Sequence, residues 1–582
     1  MSGSFAHPHG APASGASPQP DKLSAPVHRV AASDRSRQTA GRAGRAWLAR
    51  AIAFARASPE VVVAMFGALI ARAVFWQMTH RMFEDGLTTI THARNAAEGL
   101  GLTSHPGEGH VHGFTSALSV LVPLLGELVK LDGGGFIAIR LASMAAVVIA
   151  IYAVHLIGRE LGLSRWAMLF PLAYLAFDQN QIFYGMSGME TEMAVAILLV
   201  SVLFVIRQRI VLSGAMFGLC VLVRPDFVLF VVPAFLYLAW PRRARLRSLL
   251  PTVAAAVAVA APWFVFTTIY YGSPIPRTIG AKLNRYFDPP SFAAGPGAWI
   301  SYAWHQFQAA GEPLWHDFTP FLEDGLILRG PVSSWLLGDI AFVFIVLAVA
   351  GAWRLRRNPK AFPIWSYAII FFAYHVLVLP PGYYEWYLGP VMALMALLAA
   401  SGLSGLRLRF GARVAVVATC AMALAFAAHI PYTFPLEANV QHQVEDRVRK
   451  PLGLWLRANV PPGQSVTSES VGYFGWYGDV KLYDYPGLTS PTAVDALARL
   501  GHAHNNMNEL IRVLHPDWIV FRPYELTAFA AFDPSLEAQY HSVVEFKVAP
   551  ETVHLTRGGV TYINIDTDFI VQRLISSEKS AS

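Results

Sequence analysis

Two adjacent carboxylates, Glu84 and Asp85, end the first strongly apolar run of the chain, in RMFEDGLTTITHARNAAEGLGL (81–102). A carboxylate so placed can take the proton of an attacking hydroxyl. Helical spacing sets Asp85, Thr89, His92 and Ala96 along one stripe. Leu87, Ile90, Ala97 and Leu100 fall on another, as in a short amphipathic helix at a membrane interface. On these residues alone an ordinary role stays open: a carboxylate at a helix start answers the unpaired N–H groups there. Against that, 81–112 also gathers Arg94, His105, Glu108, His110 and His112. Ionisable groups this close to a bilayer are expensive and mark functional sites.

Four further clusters carry chemistry. In DQNQIFYGMSGMETE (178–192), Glu190 and Glu192 enter an apolar run, where they need partners. In VLVRPDF (221–227), Arg224 and Asp226 interrupt an apolar stretch, either as a structural ion pair or as ligand contacts. YGSPIPRTIGAKLNRY (271–286) offers Arg277, Lys282 and Arg285 to an anion. PPGYYEWYLGP (380–390), with Tyr384, Glu385 and Tyr387, suits an interfacial aromatic belt or the rim of a sugar or lipid site.

The elements that must position these residues are membrane helices. Of 582 residues, 54% are hydrophobic and 14% charged, against about 25% charged in soluble domains. Mean hydropathy is +0.41. Candidate spans fall at 57–76, 112–131, 136–158, 163–179, 190–206, 211–223, 226–240, 250–270, 335–353, 361–380, 386–401 and 411–430. The expected fold class is an α-helical polytopic membrane protein of about 11–12 transmembrane helices with a C-terminal soluble α/β domain. Its expected parts are a disordered basic cytoplasmic tail at 1–50, a transmembrane catalytic domain at 51–430 with outer loops 77–111 and 271–334, and an extracytoplasmic α/β domain at 431–582. The net charge of +7 belongs to Arg-rich loops between spans, PRRARLR (241–247), RLRRNPK (354–360) and RLRFGAR (407–413), and not to nucleic-acid binding. Those loops should share the cytoplasmic side, leaving 431–582 outside. Twelve full spans break this parity at RQR (207–209), so one segment must be half-inserted; the short runs around RPD (224–226) are the suspects. Cys220 and Cys420 sit in apolar runs and read as packing. In the C-terminal part, SVTSES, VKLYDYPG, PDWIVFRP, YHSVVEFKVA and VTYINIDT read as strands, TAVDALARLG and NNMNELIRVLH as helices, and VGYFGWYG as a turn. No dinucleotide, Walker, nucleophile-elbow or zinc-protease motif occurs.

Taken in order, these blocks resemble membrane glycosyltransferases of the GT-C class, nearest the branch with the mycobacterial terminal arabinofuranosyltransferases. The resemblance rests on Glu84-Asp85 followed by Arg94-Asn95, GLGLTSHPGEG (99–109), HGFTSAL (112–118), SGMETE (187–192), VRPD (223–226), YGSPIPRTIGAKL (271–283) and YYEWYLGPVMALMALLAA (383–400). It covers roughly 57–430 and continues more weakly through 468–491. The chain departs from the pattern where Glu84 replaces the commoner Asp, and where Gly86-Leu87 replaces an aromatic. The resemblance implies a GT-C fold and an inverting transfer of a sugar, arabinofuranose by branch, from a polyprenyl-phosphate donor to a cell-envelope glycan or lipid acceptor. The site would be the outer face of a bacterial inner membrane. It implies Asp85 as general base with Glu84 assisting. Arg277 and Lys282, with Arg224 behind them, would hold the phosphate. Arg94, His110, His112, Glu190, Asp226, Tyr384, Glu385 and Tyr387 complete the expected substrate contacts. A divalent cation, Mg or Mn, could gather on Glu84, Asp85 and Glu190. The competing class is a multi-pass transporter or flippase of lipid-linked sugars.

Overall fold

The structure, a computed structural model, describes residues 49–555 and 567–575 apart from 51, 287–288, 318–330, 379–384, 429 and 502–503. The chain divides into Met1–Pro59 and Glu60–Ser582. The described residues of the first unit are helical at 52–57, and the second unit carries the architecture.

Its membrane part is built from helices. In chain order they are α1 (Pro59–Thr79), α2 (Glu84–Ala97), α3 (Leu118–Leu128), α4 (Gly134–Glu160), α5 (Leu169–Phe177), α6 (Gln179–Met186), α7 (Thr191–Ile206), α8 (Ile210–Val223), α9 (Val228–Ala239), α10 (Leu250–Tyr271), α11 (Arg277–Tyr286), α12 (Gly295–Asp317), α13 (Pro331–Leu355), α14 (Phe362–Leu377), α15 (Leu388–Phe410), α16 (Ala412–Ala428) and α17 (Ile430–Val440). Among the described residues, six helical stretches are long and apolar enough to cross a bilayer, and α3, α7, α8 and Phe342–Leu355 are shorter apolar helices. Enclosure differs sharply among them. The apolar window of α15 is 89% inside protein, whereas that of Pro225–Tyr271 is 11% inside. So α15 is a central helix, and α10 turns most of its surface outward.

Small residues let the helices meet closely. Gly214 and Gly218 of α8, one helical turn apart, lie against the backbone carbonyls of Thr252 and Ala256 in α10. Gly351 of α13 and Gly402 of α15 meet the carbonyls of Leu398 and Leu347 in the same way. In lipid, where apolar burial does not drive association, such close backbone packing does.

The segment 112–131, expected as a span, forms only a short apolar helix. Its helix, α3, has 11 residues, about 16 Å at 1.5 Å per residue, or half of a bilayer core. It packs on α2 and α4. The runs around RPD are short helices too: α8 has 14 residues and α9 has 12, with the 3₁₀ turn Pro225–Phe227 between them.

Beyond α17 a π-helical stretch, Gln441–Arg449, leads into α18 (Lys450–Asn459). The C-terminal region then alternates β1 (Ser465–Ser468), α19 (Gly472–Gly478), β2 (Lys481–Asp484), α20 (Pro491–Leu500), α21 (Met507–Leu514), β3 (Trp518–Phe521), α22 (Pro523–Phe532), α23 (Pro534–Glu537), β4 (Tyr540–Lys547) and β5 (Asp568–Leu574). The sheet order is β2-β1-β3-β5-β4. β1 is parallel to β2 and β3, and β5 is antiparallel to β3 and β4. Every residue of β1 and β3 is buried, as inner parallel strands require. The expected strand VTYINIDT lies largely outside the described residues. The expected turn VGYFGWYG is instead a short helix, α19, and this matters for the site.

Candidate active site

α2 begins directly after a four-residue link from α1, and the elements around it fix its first turn from several sides. Arg140 of α4 donates to the carbonyls of Arg81 and Met186, both at 2.7 Å. The Phe83 N–H donates to Ser187 O at 2.9 Å, and the Tyr473 hydroxyl donates to Met82 O at 3.2 Å. Gly86 explains one departure from the family pattern. A Cβ there would stand 3.0 Å from Ser187 O and 3.1 Å from Gly188 O, so the turn after α6 leaves no room for an aromatic ring.

The two carboxylates have unlike surroundings. Glu84 faces the C-terminal region. Its Oε2 is 2.5 Å from Nη2 of the buried Arg449, and its Oε1 accepts the Gly472 N–H, at the start of α19, at 2.5 Å. Glu84, expected to orient an acceptor or assist, holds an ion pair and a helix start. Asp85 is the exposed one of the two. Solvent reaches it, yet protein crowds it enough that lost hydration raises its pKa above the ordinary aspartate value. Lys282 opposes that rise and Glu469, from the β1–α19 connection, adds to it.

A cationic group lies beside the aromatic pair Trp386-Tyr387. Lys282 of α11 donates to the Tyr387 hydroxyl at 2.9 Å and stands 4.8 Å over that ring. Arg224, 2% exposed, lies 3.7 Å from the centre of the same ring. It donates to Asp226 Oδ1 and to Trp386 O, both at 3.1 Å. Asp226 thus orients Arg224, and the ion pair is compatible with both readings its sequence left open. Glu190 is buried just before α7, within the fields of Arg224 and Lys282. Phe83, next to the acidic pair, meets the Trp386 ring edge-on at 5.7 Å, so acidic and cationic groups adjoin one aromatic wall.

Other expected contacts lie elsewhere. The Arg94 guanidinium stacks 4.1 Å over Trp476 and donates to that residue's carbonyl. Trp476 also meets Phe136 edge-on, so the aromatic run of α19 packs onto α2 and α4. His110 is exposed beside Tyr270, with ring centres 4.4 Å apart. His112 is stacked on Tyr271 at 4.9 Å, and burial and the nearby His92 push its pKa down to about 4. It is a neutral packing group at physiological pH, as is His92, lowered to about 4 by burial. Arg277 donates its backbone N–H to His112 O at 3.0 Å. Tyr384 and the Glu385 side chain lie outside the described residues. Among the described residues, no three His, Cys, Asp or Glu side chains gather as a metal site needs. Glu84, one of the three candidate ligands, is already paired with Arg449.

Sequence reasoning missed the buried arginines. Arg81 reaches Glu437, Gln441 and Glu445; Arg449 reaches Glu84, Glu445 and Ser470. Their signal is alternation in LEANVQHQVEDRVRK, which reads as a solvated helix face. The partner sets only meet because α17 and the π-helical stretch fold back beside α2.

Comparison with known proteins agrees with this architecture. Residues 123–266 match the profile of dolichyl-phosphate-mannose-protein mannosyltransferases. Residues 438–563 match a domain of unknown function, DUF8728. The fold is similar to that of ArnT from Cupriavidus metallidurans bound to undecaprenyl phosphate, with 15% identity, a TM-score of 0.51, and coverage of 89% of this chain and 99% of that one. It is also similar to the Archaeoglobus fulgidus oligosaccharyltransferase tethered to an acceptor peptide, with 15% identity, a TM-score of 0.50, and coverage of 85% and 73%. The fold is GT-C. No curated protein matches.

Proposed function

We propose that the chain is an inverting glycosyltransferase. It moves a sugar, with arabinofuranose the first candidate, from a polyprenyl-phosphate donor to a cell-envelope glycan or lipid on the outer face of the membrane. The observation that carries this reading is the contrast within the acidic pair. Asp85 is open to solvent within the field of Lys282, while Glu84 is held by Arg449. The likeness to a fold solved with undecaprenyl phosphate supports the donor class.

In the proposed step, Asp85 takes the proton of an acceptor hydroxyl as that oxygen bonds to the anomeric carbon. The bond from that carbon to the phosphate oxygen breaks on the opposite face, and polyprenyl phosphate leaves with the electron pair. Charge on the leaving phosphate grows through the step. Lys282 and Arg224 then stabilise the transition state more than the ground state. Arg224 is held ready by Asp226 and by stacking on Tyr387, so it costs little reorganisation. His112, neutral and caged, shapes the wall without competing for the phosphate.

Membranes carrying the full chain should transfer sugar from synthetic polyprenyl-phosphate sugars. Asp85→Asn should lower the rate by about 10²–10⁴-fold, the usual worth of a general base, with donor binding retained. Near-normal transfer by Asp85→Asn removes the base assignment. A wild-type chain that translocates lipid-linked sugar across vesicles but transfers none would point to a flippase instead.

A further inference from the structure

The two cations of the proposed step come from distant elements and meet on one ring. Arg224 directly follows α8, and Lys282 lies in α11. Tyr387, 7% exposed, ends the 3₁₀ turn Glu385–Tyr387, which leads into the central helix α15. The Arg224 guanidinium lies 3.7 Å from the centre of the Tyr387 ring, and Lys282 Nζ lies 4.8 Å from it. Lys282 Nζ also donates to the Tyr387 hydroxyl at 2.9 Å. Two like charges gathered at one ring repel each other. The negative face of an aromatic ring offsets that repulsion. A guanidinium stacked on it keeps its in-plane N–H groups for other partners, here Asp226 and Trp386 O.

The hold on Lys282 matters because of where α11 is fastened. Its first turn is tied to the 112–115 segment. The Arg277 N–H donates to His112 O at 3.0 Å, and the Thr278 and Thr115 hydroxyls share a hydrogen bond of 2.8 Å. Lys282 comes more than one turn later and links α11 to the start of α15 through Tyr387. Its stem is flexible, so a fixed acceptor at its tip selects one placement from many. We propose that Tyr387 is a positioning residue for donor cleavage: its hydroxyl sets Lys282 and its ring sets Arg224, so both cations are in place before charge grows on the leaving phosphate. Tyr387 then acts through the two cations, and not as the substrate contact its motif suggested. This rests on the donor class proposed above.

Donor kinetics in membranes carrying the full chain test it. Tyr387→Phe keeps the ring and removes the hydroxyl. It should lower kcat about tenfold or more, the usual worth of a hydrogen bond to a charged group, and raise the donor KM by about twofold or less. Added to Lys282→Met, the same change should slow transfer by less than about twofold, because the hydroxyl no longer has a cation to place. Tyr387→Leu should be slower than Tyr387→Phe by a further factor of about three or more, since Arg224 also loses its ring. The same cycle is read in nanodiscs with sugar-free polyprenyl phosphate, which carries the charge the leaving group acquires. There Tyr387→Phe should weaken binding about tenfold in the wild type and hardly at all in Lys282→Met. The inference is overturned if Tyr387→Phe transfers and binds like the wild type, if it harms Lys282→Met as much as the wild type, or if Tyr387→Leu is no worse than Tyr387→Phe. A wild type that binds polyprenyl phosphate but transfers no sugar overturns the proposed function instead, and the binding cycle then decides the role of Tyr387 by itself.

Discussion

Asp85 and Glu84 are neighbours in sequence with opposite fates, and the difference is the partner each one meets. Glu84 has a guanidinium and a helix N-terminus within bonding distance; Asp85 has only the longer-range fields of Lys282 and Glu469. A base works in its ionised form, so transfer should fall as pH drops through the Asp85 pKa. Desolvation raises that pKa, which places the acid limb of kcat/KM above the ordinary aspartate range. Glu469 disfavours ionisation of Asp85, so Glu469→Gln should move the limb to lower pH. Lys282 favours it, so Lys282→Gln should move the limb to higher pH, besides slowing transfer. Limbs that stay put in both variants, read from pH–rate profiles, would mean that another group titrates. The acidic pair and its cationic counterparts were legible in sequence because charge inside apolar runs is rare. Which carboxylate stays open was not legible, since it depends on Arg449, which lies far along the chain.

At the scale of elements, α2 is held in place by α19 and the π-helical stretch. Arg449 bridges Glu84 and Glu445, and Arg81 bridges Glu445 and Glu437. Each carboxylate is thereby compensated, and removing one partner leaves a buried charge. Arg449→Leu should therefore strand Glu84 and Glu445, loosen the first turn of α2 and lower kcat more than it raises KM. Adding Glu84→Gln should recover part of the loss, with a coupling of about 0.5–3 kcal/mol in a double-mutant cycle on thermal stability. Additive effects would show that Arg449 and Glu84 are not energetically linked. The helices at α20 and α21 and the strand at β3 were legible from their periodicity. The helix α19 was not, because three glycines and four aromatics in VGYFGWYG score as a turn. It becomes a helix where Phe474 packs into the sheet domain and Trp476 onto Arg94.

For the whole molecule, the bilayer sets the terms. Span length and loop charge gave most of the helices, but they could not reveal that α3 stops at half a bilayer. Its apolar residues pack against α2 and α4 and not against lipid alone. Nor could they supply a partner for Glu192, which stands in the first turn of α7. That partner is Arg72, fully buried in α1, with Nε 2.7 Å from Glu192 Oε1. Arg72 also donates to the carbonyls of Leu175 and Ala176, so one side chain joins α1, α5 and α7. Replacing one partner should cost about 3–5 kcal/mol, because the other charge is left buried. Arg72→Met and Glu192→Leu should each lower the unfolding temperature in nanodiscs. The double variant should recover most of the loss, since two apolar side chains carry no desolvation cost. It should not recover all of it, because the Leu175 and Ala176 carbonyls lose their donor at the end of α5. If both single variants unfold like the wild type, the pair does not hold these helices together. If the double variant is as unstable as the two losses summed, the cost comes from lost packing and not from an uncompensated charge.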